Sequence, residues 1–333
     1  MNNENISLIT DELLNACGGS KYLHIGDDSG ALVHSLLSFG LDAYGIASTT
    51  AAEESNNAAM PGRFLAAEKL KFPYQSNAFD TVILTYCLEQ LTTDELSNVV
   101  DEIYRITRRS VYLRIRVLAR DSEELNTLQD RRAWEMLFFN KGFRKHPSYY
   151  LINGYESLGR EGDAITILLE KIPAEALAHY PLEALKEERD LHMDMTREAG
   201  ERSDAHIARY QWAATFVRPG DTVLDAACGL GYGSYLIQCG TTAAQTIGID
   251  GSDYAIDYAA HNFSRSVNNL SFRTGMLPEA LDSIPDHSVD IVISFETLEH
   301  VPDPEGLLAA FHRVLTPAGR IIVSVPNDWS DET

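Results

Sequence analysis

The chain has 333 residues, with 27 basic against 49 acidic side chains, a formal net charge of −22, 44% apolar and 23% charged residues. Its apolar mass suffices for two domain cores of about 150 residues each and excludes a disordered or fibrous chain. No run approaches the ~18 uninterrupted apolar residues of a membrane span, and MNNENISLITDELL lacks the basic-then-apolar order of a secretory leader. Residues 1–175 are net −8, residues 176–333 are net −14, and no lysine follows Lys186. Neither a phosphate backbone nor an anionic membrane finds its basic cluster here, so nucleic acid is not an expected partner. Cys17, Cys87, Cys228 and Cys239 form no C-x-x-C pair and read as reduced, cytoplasmic thiols.

In chain order, YLHIGDDSGALVHSLLSFGLDAYGIAS (22–48) is an apolar run, a Gly-bearing turn, a helix-like stretch and a second apolar run. FPYQSNAFDTVILTYCLEQL (72–91) and SVYLRIRV (110–117) continue that alternation, which marks βαβ units and a parallel sheet. A helical segment, RRAWEMLFFNKG (131–142), and two strand-like runs, HPSYYLI (146–152) and AITILLEKI (164–172), follow. The arginines of TRRSVYLRIR read either as a solvated strand face or as a cationic surface for a partner. Residues 174–203 are charged and helix-prone. SDAHIARYQWAATFV then reads as a helix capped by Ser203 or Asp204, with Ile207, Tyr210, Ala214 and Val217 on one face. Arg218-Pro219-Gly220-Asp221 ends it.

The first pattern then returns. VLDAACGLGYGSYLIQCGTTAAQTIGIDGS (223–252) echoes 22–48, IPDHSVDIVISFETLEHV (284–301) echoes 72–91, and GRIIVSVP (319–326) echoes 110–117. The expected architecture is α/β: two Rossmann-like domains, 1–173 and 203–333, joined by a helical linker, 174–202. The second copy has no strands after its fifth, so either the native protein is longer or this copy borrows elements. The two copies are expected to pack against each other or to pair across a dimer.

The sharpest chemical signal is Asp225-Ala226-Ala227-Cys228-Gly229-Leu230-Gly231-Tyr232-Gly233, between an apolar strand and a helix. Glycines at such a turn let the backbone approach a ligand. Asp250, at the end of the next strand, can accept both hydroxyls of a ribose. Starting at Gly229 or at Gly231, the sequence does not complete G-x-G-x-x-G/A, and no G-K-[ST] is present, so a dinucleotide and a P-loop nucleotide are excluded. Asp225 would repel phosphates and suits a cationic ligand.

These residues, with LPEALDSIPDHSVDIVISFETLEHVPDPEGLLAAFHRVLTPAGRIIVSVPN downstream, resemble the class I S-adenosylmethionine-dependent methyltransferases, strongly over 203–333. Two positions depart from the family's pattern: Ala227 replaces the usual first glycine, and Met276 replaces an acidic residue after the third strand. The resemblance implies S-adenosyl-L-methionine as cofactor. Asp225 and the Ala227–Gly231 backbone, including Cys228 and Gly229, would hold its methionine part, and Asp250 the ribose. Gly251, Ser252, Met276 and Leu277 would enclose the adenine. Phe295 and Glu296 would line the crevice, and the preceding helix would close it with Tyr210 and His206. Copy one has His24, Asp28 and Ala47 where copy two has Asp225, Gly229 and Asp250, so it reads as a degenerate, pseudo-methyltransferase domain.

The expected reaction is methyl transfer to an oxygen nucleophile of a small molecule or glycan, with Glu296 and His300 as the residues acting on the acceptor. His300 reads equally as a packing histidine. The alternative reading is a cofactor-binding module of a larger scaffold whose first copy recruits partners. The offsets within Glu296-x-x-Glu299-His300 would put all three side chains on one helical face, a spacing that binds a divalent ion in some relatives; no metal is expected here. A homodimer and a larger multidomain parent are the expected assemblies.

Overall fold

The computed structural model describes residues 3–26, 28–67, 71–118, 126–160, 162–187, 193–265 and 267–326. The chain divides between Ile172 and Pro173 into two units. The first contains α1 (Asn3–Ala16), β1 (Lys21–Ile25), α2 (Ala31–Ser38), β2 (Asp42–Ala47), α3 (Thr50–Ala59), β3 (Phe64–Ala66), β4 (Phe79–Thr85), α4 (Thr93–Ile106), β5 (Thr107–Arg116), α5 (Arg131–Phe139), β6 (Phe143–Lys145), α6 (Tyr149–Ile152) and β7 (Ala164–Lys171). Its seven-stranded sheet has the order β3-β2-β1-β4-β5-β7-β6, parallel except for β7, which is antiparallel to both neighbours. Every residue of β4, FDTVILT, is buried, as the centre of a sheet covered on both faces requires. Over that sheet α4 buries Leu96, Val99, Val100, Ile103 and Ile106, at helical spacing, behind a Thr92–Glu95 capping box.

The second unit contains α7 (Ala174–His179), α8 (Leu182–Glu187), α9 (Glu201–Ala214), β8 (Thr222–Ala226), α10 (Tyr232–Gly240), β9 (Gln245–Asp250), α11 (Asp253–Ala259), β10 (Leu270–Thr274), β11 (Val289–Phe295), α12 (Pro304–Val314) and β12 (Leu315–Ser324). Its sheet ends at five parallel strands, β10-β9-β8-β11-β12. Leu224, Ile249 and Val292 from the strands meet Leu307, Phe311 and Val314 of α12 in its core. No helix among the described residues is long and apolar enough to cross a membrane.

The echo between the copies extends to the backbone: Asn77, Asp80 and Tyr86 recur 210 positions later as His287, Asp290 and Glu296. Asp80 accepts the amides of Ser20 and Lys21 at 2.9 and 3.1 Å, and Asp290 accepts that of Thr222 at 2.9 Å. Asn77 and His287 both have positive φ, 56° and 53°, and donate their amides to Arg105 and Arg313. Tyr86 and Glu296, φ 55° and 52°, donate theirs to Arg114 and Ser324.

Three local expectations are corrected. The run 146–152 is not a strand: the chain turns at His146, whose carbonyl accepts the Tyr149 amide and whose Nδ1 accepts that of Ser148, and continues as α6. Helix α9 starts at Glu201 with Gly200 at its N-cap, because Ser203 is turned inward to donate to the Met195 carbonyl. In β5, Arg108 and Arg109 are exposed, as the solvated-face reading has it, with Arg108 paired to Asp80, while Arg114 bonds Tyr86 and Thr166 and Arg116 lies over the Tyr86 ring. The segment after Ile172 belongs to the second unit, tied there by the Tyr258 hydroxyl donating to Asp194 at 2.7 Å.

Candidate functional site

Strand β8 delivers Asp225 to the C-terminal end of the sheet, and the turn to α10 follows. Ala227, Gly229 and Gly231 all have positive φ, at 64°, 53° and 79°. The first of these costs an alanine roughly 1–2 kcal/mol that a glycine would not incur. The Cys228 amide donates to Ile249 and that of Gly231 to Cys228, both at 3.0 Å, so the turn is lashed to β9. Gly233, in the first turn of α10, leaves room for the Tyr210 ring, which a methyl group there would overlap.

Asp225 is fully buried and accepts from Ser234 Oγ at 2.6 Å and the Tyr210 hydroxyl at 3.3 Å. Burial pushes its carboxyl up to about 7, with the nearby Asp250 charge adding to the rise, while the two hydrogen bonds oppose it. Asp250 closes the turn from the other side. One carboxylate oxygen accepts the Gly229 amide at 2.8 Å, the other that of Ser252 at 2.9 Å. Ser252 in turn caps α11 through the Ala255 amide.

A cavity of about 260 Å³ opens over this turn, lined by Ala227, Cys228, Gly229 and Leu230 below and by Tyr210, Phe295 and Glu296 at the side. The Tyr210 ring meets Phe295 edge-on at 5.0 Å and Tyr232 at 5.6 Å. Glu296 accepts from Arg209 at 2.6 Å and from Ser324 Oγ at 2.8 Å. Burial, with Arg209 and Arg202 nearby, pushes the His206 imidazole down to about 4, so it is neutral at pH 7. Burial pushes the Cys228 thiol up, so it is a protonated filler in the turn.

Eight of the expected residues thus line one cavity: His206, Tyr210, Ala227, Cys228, Gly229, Leu230, Phe295 and Glu296. Asp225, Gly231 and Asp250 frame the turn beneath it. Gly251, Ser252, Met276 and Leu277 lie outside the lining; Met276 is 69% exposed with its sulfur against Gly251, and Leu277 packs on the core. His300 also lies outside it, its side chain 77% exposed and 3.9 Å from Glu299. The expected single helical face is not formed: Glu296 sits in left-handed backbone at the end of β11, and only Leu298–His300 make a helical turn. Met193, Met195, Arg202 and Tyr232 also line the cavity and were not anticipated. The GxGxG spacing could have nominated Tyr232, but the two methionines come from a segment with no pattern of its own.

At the same place in the first unit, side chains bind one another. His24 Nε2 and Thr85 Oγ1 are 2.8 Å apart, and Asp28 accepts from the Ser48 amide at 2.8 Å and from its hydroxyl.

Comparison with known proteins agrees with this geometry. Residues 218–333 match one methyltransferase-domain family and residues 17–115 a second. A probable S-adenosylmethionine-dependent methyltransferase of Mycolicibacterium smegmatis is 36% identical over 32% of this chain and 39% of its own length. One of Mycobacterium tuberculosis is 36% identical over 32% and 35%. A ubiquinone biosynthesis O-methyltransferase of Nitrosospira multiformis is 35% identical over 32% and 44%. The chain therefore spans less than half the length of these curated relatives. Both α/β units, residues 17–115 and 218–333, are methyltransferase domains with a Rossmann-like sheet.

Proposed function

We propose that the second unit binds S-adenosyl-L-methionine at the Asp225–Gly231 turn and transfers its methyl group to an oxygen nucleophile of a small molecule or glycan. The observation that carries the reading is the pair of carboxylates at the strand ends, Asp225 bonded to Ser234 of the following helix and Asp250 to the Gly229 amide, beneath a turn whose residues Ala227–Leu230 line a cavity. The donor set fits the cofactor: a buried carboxylate for a cationic methionine end, and a second at the strand terminus for a ribose diol. S-adenosylmethionine supplies a methyl group already activated by its sulfonium. The protein's part is to orient and to exclude water. Asp250 takes the ribose, the backbone of the turn takes the methionine end, and Tyr210 closes over both. Gly251, Ser252, Met276 and Leu277 form the adenine rim.

Glu296, which lines the cavity and accepts from Arg209 and Ser324, is our candidate to accept the hydroxyl proton of the acceptor. His206, neutral and short of basicity, orients that hydroxyl. His300 serves only if the Leu298–His300 turn rearranges. The first unit, its crevice filled by His24–Thr85 and Asp28–Ser48, is a pseudo-methyltransferase domain that binds no cofactor. The four cysteines, none of them in a disulfide among the described residues, support a cytoplasmic setting, and a homodimer is the proposed assembly.

Calorimetric titration with S-adenosylmethionine tests the reading: one site per chain is expected, and a chain that takes up none ends it. Two sites per chain end the claim for the first unit. Mass spectrometry of hydroxyl-, amine- and carbon-acceptor mixtures then decides the nucleophile.

A further inference from the structure

Away from the crevice, α7 meets the end of α11. His179 closes α7, and Asp257 and His261 lie one turn apart along α11 and the π-helical turn, Ala260–Ser264, that continues it. Such π turns gather at functional positions. The ligand-capable atoms of all three residues lie within 4.8 Å of one another. The two imidazoles stack with centroids 4.5 Å apart and planes 8° from parallel.

Both imidazoles stand beside one carboxylate oxygen: His261 Nδ1 is 3.4 Å from Asp257 Oδ2. His179 Nε2 stands 3.5 Å from Asp257 Oδ2, beyond hydrogen-bond length. A tetrahedral ion with bonds of about 2.0–2.1 Å separates its ligand atoms by about 3.3–3.4 Å. His261 Nδ1 lies 2.9 Å from the Asp257 carbonyl oxygen, to which it donates, so its lone pair is left on Nε2. A main-chain carbonyl on the far nitrogen is the usual orienting partner of a metal-bound imidazole. The Tyr180 hydroxyl likewise donates to Asp257 Oδ2 and fixes the carboxylate. Arg265, four residues after His261, is paired with Glu175 at 2.6 Å. The His179 and His261 side chains are 55% and 20% exposed, and binding one ion requires the exposed His179 ring to turn out of the stack. Nothing in the methyl-transfer reading uses these residues.

We propose that His179, Asp257 and His261 form a divalent-metal site of the zinc type, which clips α7 onto α11. Two imidazoles and one carboxylate suit zinc, with a water completing four ligands. The surrounding half-chain, at net −14, draws cations toward it. Bound metal would fasten the segment that precedes α9 to the helix that begins at Ser252.

The test is titration of the tag-free, chelator-stripped full chain with zinc sulfate, by calorimetry and thermal melting. One zinc per chain is expected, with a raised melting temperature. Affinity should fall at least tenfold in His179→Ala and in His261→Gln and be unchanged in Cys239→Ser, which removes an exposed thiol. The zinc-free melting curves of the variants show whether they fold. Should either histidine variant fail to fold, Asp257→Asn, which keeps the Tyr180 contact, takes its place with the same expected loss. A chain that binds no zinc overturns the proposal, as does zinc whose affinity is indifferent to these three residues.

Discussion

At the scale of single residues, the two carboxylates under the turn differ in what they can report. Asp250 sits where its charge is compensated by two amides. Its replacement by alanine should cost S-adenosylmethionine binding about 2–3 kcal/mol, since charge-assisted bonds are lost; calorimetry of Asp250→Ala checks this. Asp225 is buried with its carboxyl raised from 3.8 to about 7. Between those values the folded chain holds a proton there that the unfolded chain has released. Its contribution to stability is therefore present below about pH 4 and lost as pH rises through about 7. Urea melts of wild type and Asp225→Asn across pH 4–8 should diverge with that slope. A cationic ligand favours the ionised form, so affinity for S-adenosylmethionine should climb from pH 5 to pH 8 in the wild type and stay flat in the variant.

At the scale of elements, α10 depends on a close approach. Gly233→Ala would push a methyl group into the Tyr210 ring, an overpacking that costs about 1–3 kcal/mol and should lower both the melting temperature and cofactor affinity. In the first unit, Thr92→Ala removes half of the α4 capping box and should cost about 1 kcal/mol in a denaturant melt, without touching binding. The elements themselves were largely readable, because a strand–glycine–helix unit is encoded within about 30 residues and its burial pattern is local. The Asp225 turn and Asp250 were legible for the same reason. What escaped were arrangements made by distant partners. Arg209 reaches Glu296 across 87 residues, and Met193 and Met195 join the cavity from a segment that reads as a linker. The left-handed backbone of Glu296 has no residue signature at all, since glycine or asparagine would be the expected occupant. The aromatic run 146–152 scored as a strand because tyrosines favour strands, and the turn at His146 overrode that preference.

At the scale of the whole molecule, one chain holds two readings of a single backbone plan, distinguished by which side of the strand-end gap carries the acid. In the second unit, Asp250 on β9 reaches across to the Gly229 amide; in the first, Asp28 on the turn reaches back to Ser48, just past β2. The bracing is kept and its direction reversed. Restoring the ribose acid alone, by Ala47→Asp, would set a second carboxylate beside Asp28 at a buried position, and like charges there disfavour one another. Removing Asp28 alone would unfasten the loop. A single step in either direction should lower the melting temperature of the chain, while Ala47→Asp combined with Asp28→Gly should recover much of the loss, a coupling a double-mutant cycle would measure. Any route from one bracing to the other therefore passes through a less stable single variant in either order, and the coupling energy measures the depth of that step.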